Sequence, residues 1–137
     1  MSAQKEITDL MNLYCTAIDS GDLETFGRLF ANATWVAEGR VPGPESMNNM
    51  ILYEDGTPRT KHVITNLTLD IDEAAGTASG HCYVTVYQQT PEFPLQAIFV
   101  GEYYDTFLSR HKAGPLPGAK FVIHSLATCA LILKPHQ

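Results

Sequence analysis

Asp19 and His62 are the two residues of this chain whose types and placement suit proton chemistry best. His is the side chain best fitted to exchange protons near neutral pH. A carboxylate on one ring nitrogen fixes the tautomer and leaves the other nitrogen free as a base, which is the orienting logic of a catalytic triad without its nucleophile. Asp19 falls in the last turn of a helical segment, where the helix dipole is negative and a carboxylate is disfavoured. It reads either as a solvated Asp of the turn "DSGD" or as a carboxylate at a pocket floor, where dipole and burial both raise its proton affinity. His62 opens the stretch "TKHVITNLTLDID", in which Leu67, Leu69 and Ile71 alternate with Thr68, Asp70 and Asp72. Strict period two puts His62 and Asn66 on the face opposite those leucines, and that face is either a pocket or solvent. Tyr14 lies on the apolar helix face, as a core residue or as one whose hydroxyl meets a ligand oxygen. Tyr87, Tyr103 and Tyr104 present the same choice on later strands. In "KFVIHSLATC", Val122, His124, Leu126 and Thr128 share one face, so His124 is either a core or a pocket-lining histidine.

The elements that must hold these residues are legible from periodicity. Ile7, Leu10, Met11, Tyr14 and Ile18 recur at helical spacing between residues 3 and 20, and Gly21 supplies the stop. Asp22 is an N-cap for a second helix through Phe30, with Leu23, Phe26, Leu29 and Phe30 on one face. "ATWVAEGRVPG" reads as a short strand pair around Gly39, and Pro44 opens a short third helix, "PESMNNMILY". Segments 62–71, 77–89, 95–109 and 120–133 read as strands joined by turns. Helices first and four long strands afterwards indicate an α+β fold: one curved antiparallel sheet wrapped around the N-terminal helices, forming a cone with an internal pocket at its mouth.

Bulk properties narrow the function. The 137 residues fit a single domain over 1–137. The net charge of −6 and the lack of a Lys/Arg cluster argue against nucleic acid or an anionic membrane as partner. The first residues lack the apolar run of a secretory signal, and no segment approaches the roughly 18 apolar residues of a membrane span, so a soluble, cytoplasmic protein is expected. Cys15, Cys82 and Cys129 lie in apolar segments and read as buried thiols. His81 and Cys82 are adjacent on a strand and point to opposite faces, and HxH, HExxH and CxxC spacings are absent, so no metal is expected. Without GxGxxG, a Walker loop or GxSxG, no cofactor is expected either. The outer sheet face carries enough Thr, Tyr and Val to pair with another sheet, pointing to a homodimer or homotrimer.

The stretch "LYCTAIDSGDLETFGRLFANATWVAEG", followed by "KHVITNLTLDID" and "TASGHCYVTVY", resembles the SnoaL-like branch of the nuclear transport factor 2-like (cystatin-like) superfamily. The most specific pieces are Tyr14, Asp19 and Asp22 at the helix end, the "ATW" strand, and His62 followed by Thr65 and Asn66. Within it the chain is most similar to the scytalone dehydratase, hexachlorocyclohexane dehydrochlorinase and bile-acid 7α-dehydratase group, whose Asp/His pair removes a proton and expels a leaving group. The resemblance implies Asp19 and His62 as the catalytic pair and Tyr14 in the place of the bile-acid enzyme's tyrosine. Trp35, Tyr87, Tyr104 and His124 then become the candidates for lining a pocket that takes a small apolar, aromatic or polycyclic molecule. Ile18 stands where scytalone dehydratase has a tyrosine, that enzyme's second histidine falls near Tyr87 or Gln88, and the final strand lacks the arginine of the other two enzymes. The implied activity is cofactor-free elimination of dehydratase type. The alternatives are isomerisation, cyclisation or epoxide hydrolysis in the same pocket, or ligand binding without turnover.

Overall fold

A computed structural model describes residues 2–31, 33–37, 51–109 and 121–133; within β-strands, the side chains of residues 35–37, 122 and 124–133 lie outside the description. The inferred third helix and the strand pair around Gly39 lie largely or wholly outside the described residues. Helix α1 spans Ala3–Ser20 and α2 spans Leu23–Leu29; the strands are β1 (Thr34–Ala37), β2 (Thr60–Asp72), β3 (Thr77–Gln88), β4 (Gln96–Ser109) and β5 (Phe121–Leu133).

Both ends of α1 are chemically specified. The Ser2 side chain accepts the Lys5 backbone N–H at the start, and Gly21 ends the helix at φ 80°, a left-handed conformation that glycine adopts without penalty. Gly21 N–H donates to the Ile18 carbonyl at 3.2 Å and Asp22 N–H to the Ala17 carbonyl at 2.9 Å, the paired bonds of a Schellman stop. Asp22 then caps α2 by accepting from Thr25 N–H, so one short turn serves two helices. Gly21 is required for space as well: an added Cβ would sit 1.9 Å from the Gly56 carbonyl oxygen. The turn at residues 53–57 therefore packs directly on the end of α1, and β2 leaves that turn beside Asp19.

The five strands form one sheet in the order β1-β5-β4-β3-β2. The long strands pair antiparallel, but β1 runs parallel to β5, with Thr34 opposite Ser125 and Ala37 opposite Thr128. The sheet is thus mixed at one edge, which the hydrophobic pattern of four residues cannot signal. Its inner face and α1 share one core: Ile7, Met11, Tyr14, Cys15 and Ile18 pack with Cys82, Val84, Tyr103, Phe107 and Ile123. Fully burying side chains such as Ile7, Val84 and Phe107 contributes about 1.5–3 kcal/mol each.

Irregularities bend the long strands. On β2, Thr65 pairs with Tyr83 and Thr68 with His81, so Asn66 and Leu67 together face Cys82. Asn66 takes φ 56°, a left-handed conformation that asparagine tolerates better than most residues. The bulge corrects the strict alternation inferred from sequence. Ile64, Leu67, Leu69 and Ile71 all pack on the core, while the consecutive Thr65 and Asn66 are exposed. His62 therefore lies on the same inward side as the leucines, and Asn66 does not. On β5 a second register shift leaves His124 between Ile123, opposite Phe107, and Ser125, opposite Thr106. The simple alternation of Val122, His124, Leu126 and Thr128 is broken there.

The Asn66 bulge sets the direction of His62, and its backbone should resist β-branching. Asn66→Val is expected to lower stability by about 1–2 kcal/mol, because a branched Cβ is disfavoured at positive φ, whereas Asn66→Gly should cost nothing. Urea midpoints at unchanged m-value measure both. Equal stability of the two variants would show that the bulge does not need this conformation.

Candidate active site

The site begins where the last turn of α1 meets the start of β2. Asp19 is buried, and no basic residue occupies that last turn to offset the dipole. Its compensation comes from β2. Thr60 Oγ1 donates to Asp19 Oδ1 at 2.8 Å, the His62 backbone N–H donates to Oδ2 at 2.7 Å, and His62 Nδ1 lies 2.6 Å from Oδ1. The backbone contact is available because β2 is an edge among the described strands, and alternate N–H groups of an edge strand point away from the ladder. Burial works against the Asp19 charge, but the hydrogen bonds from the His62 side chain, the His62 backbone and Thr60 outweigh it and hold the carboxyl below its usual range. This reverses the expectation that dipole and burial would raise its proton affinity. An ionised carboxylate only accepts hydrogen bonds, so Nδ1 is the protonated ring nitrogen and Nε2 of a neutral imidazole carries the lone pair. The His62 side chain is 13 % exposed, open enough to be reached.

Tyr14 lies deeper on α1. Its ring centroid is 6.0 Å from that of His62 in an edge-on arrangement, and Phe26 and Phe30 pack against it. Its hydroxyl is 2.8 Å from that of Tyr103 on β4. Burial pushes the proton affinity of both phenols upward, so they are hydroxyl groups at neutral pH. The structure thus brings Asp19, His62 and Tyr14 together, with two partners: Thr60, which sequence reasoning missed, and Tyr103, which it left open between core and pocket. The phase of β4 carries the missed signal: Tyr103 lies two residues from Asp105 and four from Phe107 on the buried face.

The other inferred pocket residues fare differently. Tyr104 is 49 % exposed and stacks on His81 at 4.5 Å, and His81 in turn contacts Glu102 at 2.7 Å. Tyr104 therefore belongs to the sheet face away from α1, where period two places it once Tyr103 is buried. Tyr87 is exposed and follows the buried Val86, which puts it on that outer face too. Neither tyrosine lines a pocket beside the dyad. Trp35 lies opposite Leu126 in the β1–β5 pairing and His124 at the β5 register shift; their side chains are outside the described residues. Cys15 and Cys82 are buried free thiols. Among the described residues no three His, Cys, Asp or Glu side chains converge as metal ligands, and no helix is long and apolar enough to cross a membrane.

Beside Tyr14, the residues Met11, Tyr103, Asp105, Phe107 and Ile123 complete the lining of a narrow cavity of about 10 Å³. The arrangement offers a carboxylate-oriented imidazole and, across the Tyr14 ring from it, two phenol side chains that line the cavity, the components for taking a proton from carbon and stabilising charge on oxygen.

The profile of the SnoaL-like domain family matches residues 1–114. No curated protein matches the sequence. Among solved structures, an NTF2-like protein with a cystatin-like fold from Novosphingobium aromaticivorans superposes with a TM-score of 0.70 at 18 % identity, over 93 % of this chain and 81 % of its own. ActVI-ORFA from Streptomyces coelicolor gives 0.72 at 9 % identity, over 93 % and 96 %. A Mycobacterium tuberculosis protein of unknown function gives 0.71 at 20 % identity, over 93 % and 71 %. At these identities the likeness is one of fold.

The lowered Asp19 carboxyl has a consequence for stability. Its folded value lies below the unfolded one of about 4, so its contribution is present above that pH and is lost as pH falls through the folded value. Asp19→Asn should flatten this acid limb and, at neutral pH, cost about 1–3 kcal/mol through the lost charge-assisted hydrogen bonds. Urea unfolding of both chains across the acid range measures this; parallel curves would mean that Asp19 is not held ionised by its neighbours.

Proposed function

The chain belongs to the SnoaL-like domain family, and from that membership and the Asp19–His62 geometry we propose that it is a cofactor-independent lyase, a dehydratase or related eliminating enzyme. The single observation that carries this reading is the 2.6 Å contact between His62 Nδ1 and an Asp19 carboxylate held ionised. A carboxylate with raised proton affinity would have favoured an isomerase in which Asp19 itself is the base. An ionised Asp19 is instead an orienting group, and it hands the role of base to His62.

In the proposed reaction His62 Nε2 takes a proton from the carbon next to a carbonyl. The developing negative charge moves onto the carbonyl oxygen, and the leaving group departs from the adjacent carbon. The Tyr14 hydroxyl, supported by Tyr103, donates to a substrate oxygen. Base catalysis of this kind supplies about 10²- to 10⁴-fold, and positioning and electrostatic stabilisation provide the rest. The proposed substrate class is a small cyclic or polyketide-like apolar molecule, a reading supported by the aromatic cluster of Tyr14, Phe26 and Phe30 next to His62. A homodimer or homotrimer joined through the outer sheet face is part of the same proposal, supported by the exposed Val63, Tyr83 and Tyr104. A cytoplasmic location accords with buried free thiols at Cys15 and Cys82.

Bicyclic β-hydroxy ketones whose dehydration yields a naphthol provide a direct fluorescence assay. His62→Ala should lower kcat by about 10³-fold or more while naphthol affinity stays within a few fold, because proton transfer matters only in the transition state. Asp19→Asn should cost about 10- to 10³-fold in rate, Tyr14→Phe should be milder, and the Asp19/His62 double variant should be scarcely worse than His62→Ala. Turnover retained without His62, or binding and turnover falling together in every variant, would assign the pair to structure and leave a ligand-binding domain as the better reading.

A further inference from the structure

Asp105 is not part of the dyad, yet the fold buries it to 4 % exposure on the inner face of β4, between Tyr103 and Phe107. Its Oδ1 is buried with no hydrogen-bond partner among the described residues. A carboxyl oxygen left in this way disfavours folding unless something meets it there. What lies beside it is the cavity of about 10 Å³ shared with Tyr14 and Tyr103, the room that about one water molecule or one ligand oxygen takes. The cavity admits an oxygen and excludes a ring.

The surroundings decide which form of Asp105 is present. Among the described residues, the titratable groups around it are Tyr14 and Cys15 from α1, Cys82 from β3 and Tyr103 from β4, while the described β5 side chain beside it is the apolar Ile123. Burial pushes both thiols up to about 12 and raises both phenols, so these four groups are uncharged at neutral pH and none is a cation. Burial alone pushes the Asp105 carboxyl up to about 7. Carboxylic acids kept neutral by apolar sites can act as hydrogen-bond donors.

We propose that Asp105 is the acid of the site, giving its proton to the leaving hydroxyl of the ligand in the cavity it shares with Tyr14 and Tyr103. The proposal rests on the eliminating reading above and completes it, since a hydroxyl leaves poorly unless protonated. His62 Nε2 takes the carbon-bound proton, and the electron pair of that bond forms the carbon–carbon double bond. The carbon–oxygen bond breaks with its pair going to oxygen, which takes the Asp105 proton and departs as water. One proton has then moved in effect from Asp105 to His62, and its return through solvent resets the site. A cavity sized for one water fits the product of this step.

The leaving group separates the acid from the base. For matched bicyclic β-hydroxy and β-acetoxy ketones, Asp105→Asn should lower kcat on the hydroxy substrate by about 10²- to 10³-fold. On the acetoxy substrate, whose acetate departs without a proton, the loss should be at least about tenfold smaller. Wild-type kcat/KM on the hydroxy substrate should fall as pH rises through about 7, and this limb should be missing in the variant. Equal slowing of both substrates would overturn the acid role while leaving the dyad standing. If the wild-type chain turns over neither substrate, the eliminating reading fails, and Asp105 is judged by carbon-13 NMR of its carboxyl in the wild-type chain. Titration near 7 that shifts upward on adding 1-naphthol would retain it as a proton donor to a ligand oxygen. Titration in the ordinary carboxylate range, or no response to naphthol, would overturn it whether or not the variant folds.

Discussion

A carboxylate at the negative end of a helix is the constraint on which this structure depends. Asp19 closes α1 where the dipole alone would disfavour it by about 0.3–1 kcal/mol. Three donors from one strand end, Thr60 Oγ1, His62 N–H and the His62 ring, more than offset that cost, since hydrogen bonds to a charged group contribute about 1.5–3 kcal/mol each. The same contacts join α1 to the edge of the sheet. Gly21 and the turn that packs on it bring β2 to this position, and the Asn66 bulge lets a strand with inward leucines also present an inward imidazole. Fold and site are therefore one set of interactions at this point.

Two carboxyl groups in one small interior are driven in opposite directions. Asp19 gathers donors and stays ionised, whereas Asp105 meets phenols, thiols and hydrocarbon, and burial pushes it up to about 7. Tyr14 connects the two environments: its ring edge lies against His62, and its hydroxyl, bonded to Tyr103, lines the cavity beside Asp105. Surroundings that separate the proton affinities of two carboxyls leave one ionised to orient an imidazole and the other neutral as a hydrogen-bond donor.

Much of this was legible before the structure. The 3.6-residue period and the Gly21 stop define α1 and locate Asp19 in its last turn, and strand periods define β2 to β5 to within a residue or two. The facing of His62 was not legible, because counting by two cannot register the residue inserted at Asn66. Residue type and the family resemblance point to Tyr104 and Tyr87 as pocket residues, whereas the phase set by Val86, Tyr103 and Phe107 turns them outward. An acidic residue in "EYYDTF" reads as solvent-facing until that phase is known, so the sequence alone does not single out Asp105. The parallel pairing of β1 with β5 is a tertiary fact that four residues do not encode.

The central claim is that Asp19 fixes the imidazole of His62 with its proton on Nδ1 and a free lone pair on Nε2. Nitrogen-15 NMR of the histidine rings in mildly alkaline buffer, with the His62 signals assigned by their loss in His62→Ala, measures this directly. The account predicts a protonated Nδ1 and an unprotonated Nε2 in the wild-type chain, and a loss of that preference in Asp19→Asn. A wild-type His62 protonated on Nε2, or a tautomer indifferent to Asp19, would contradict it.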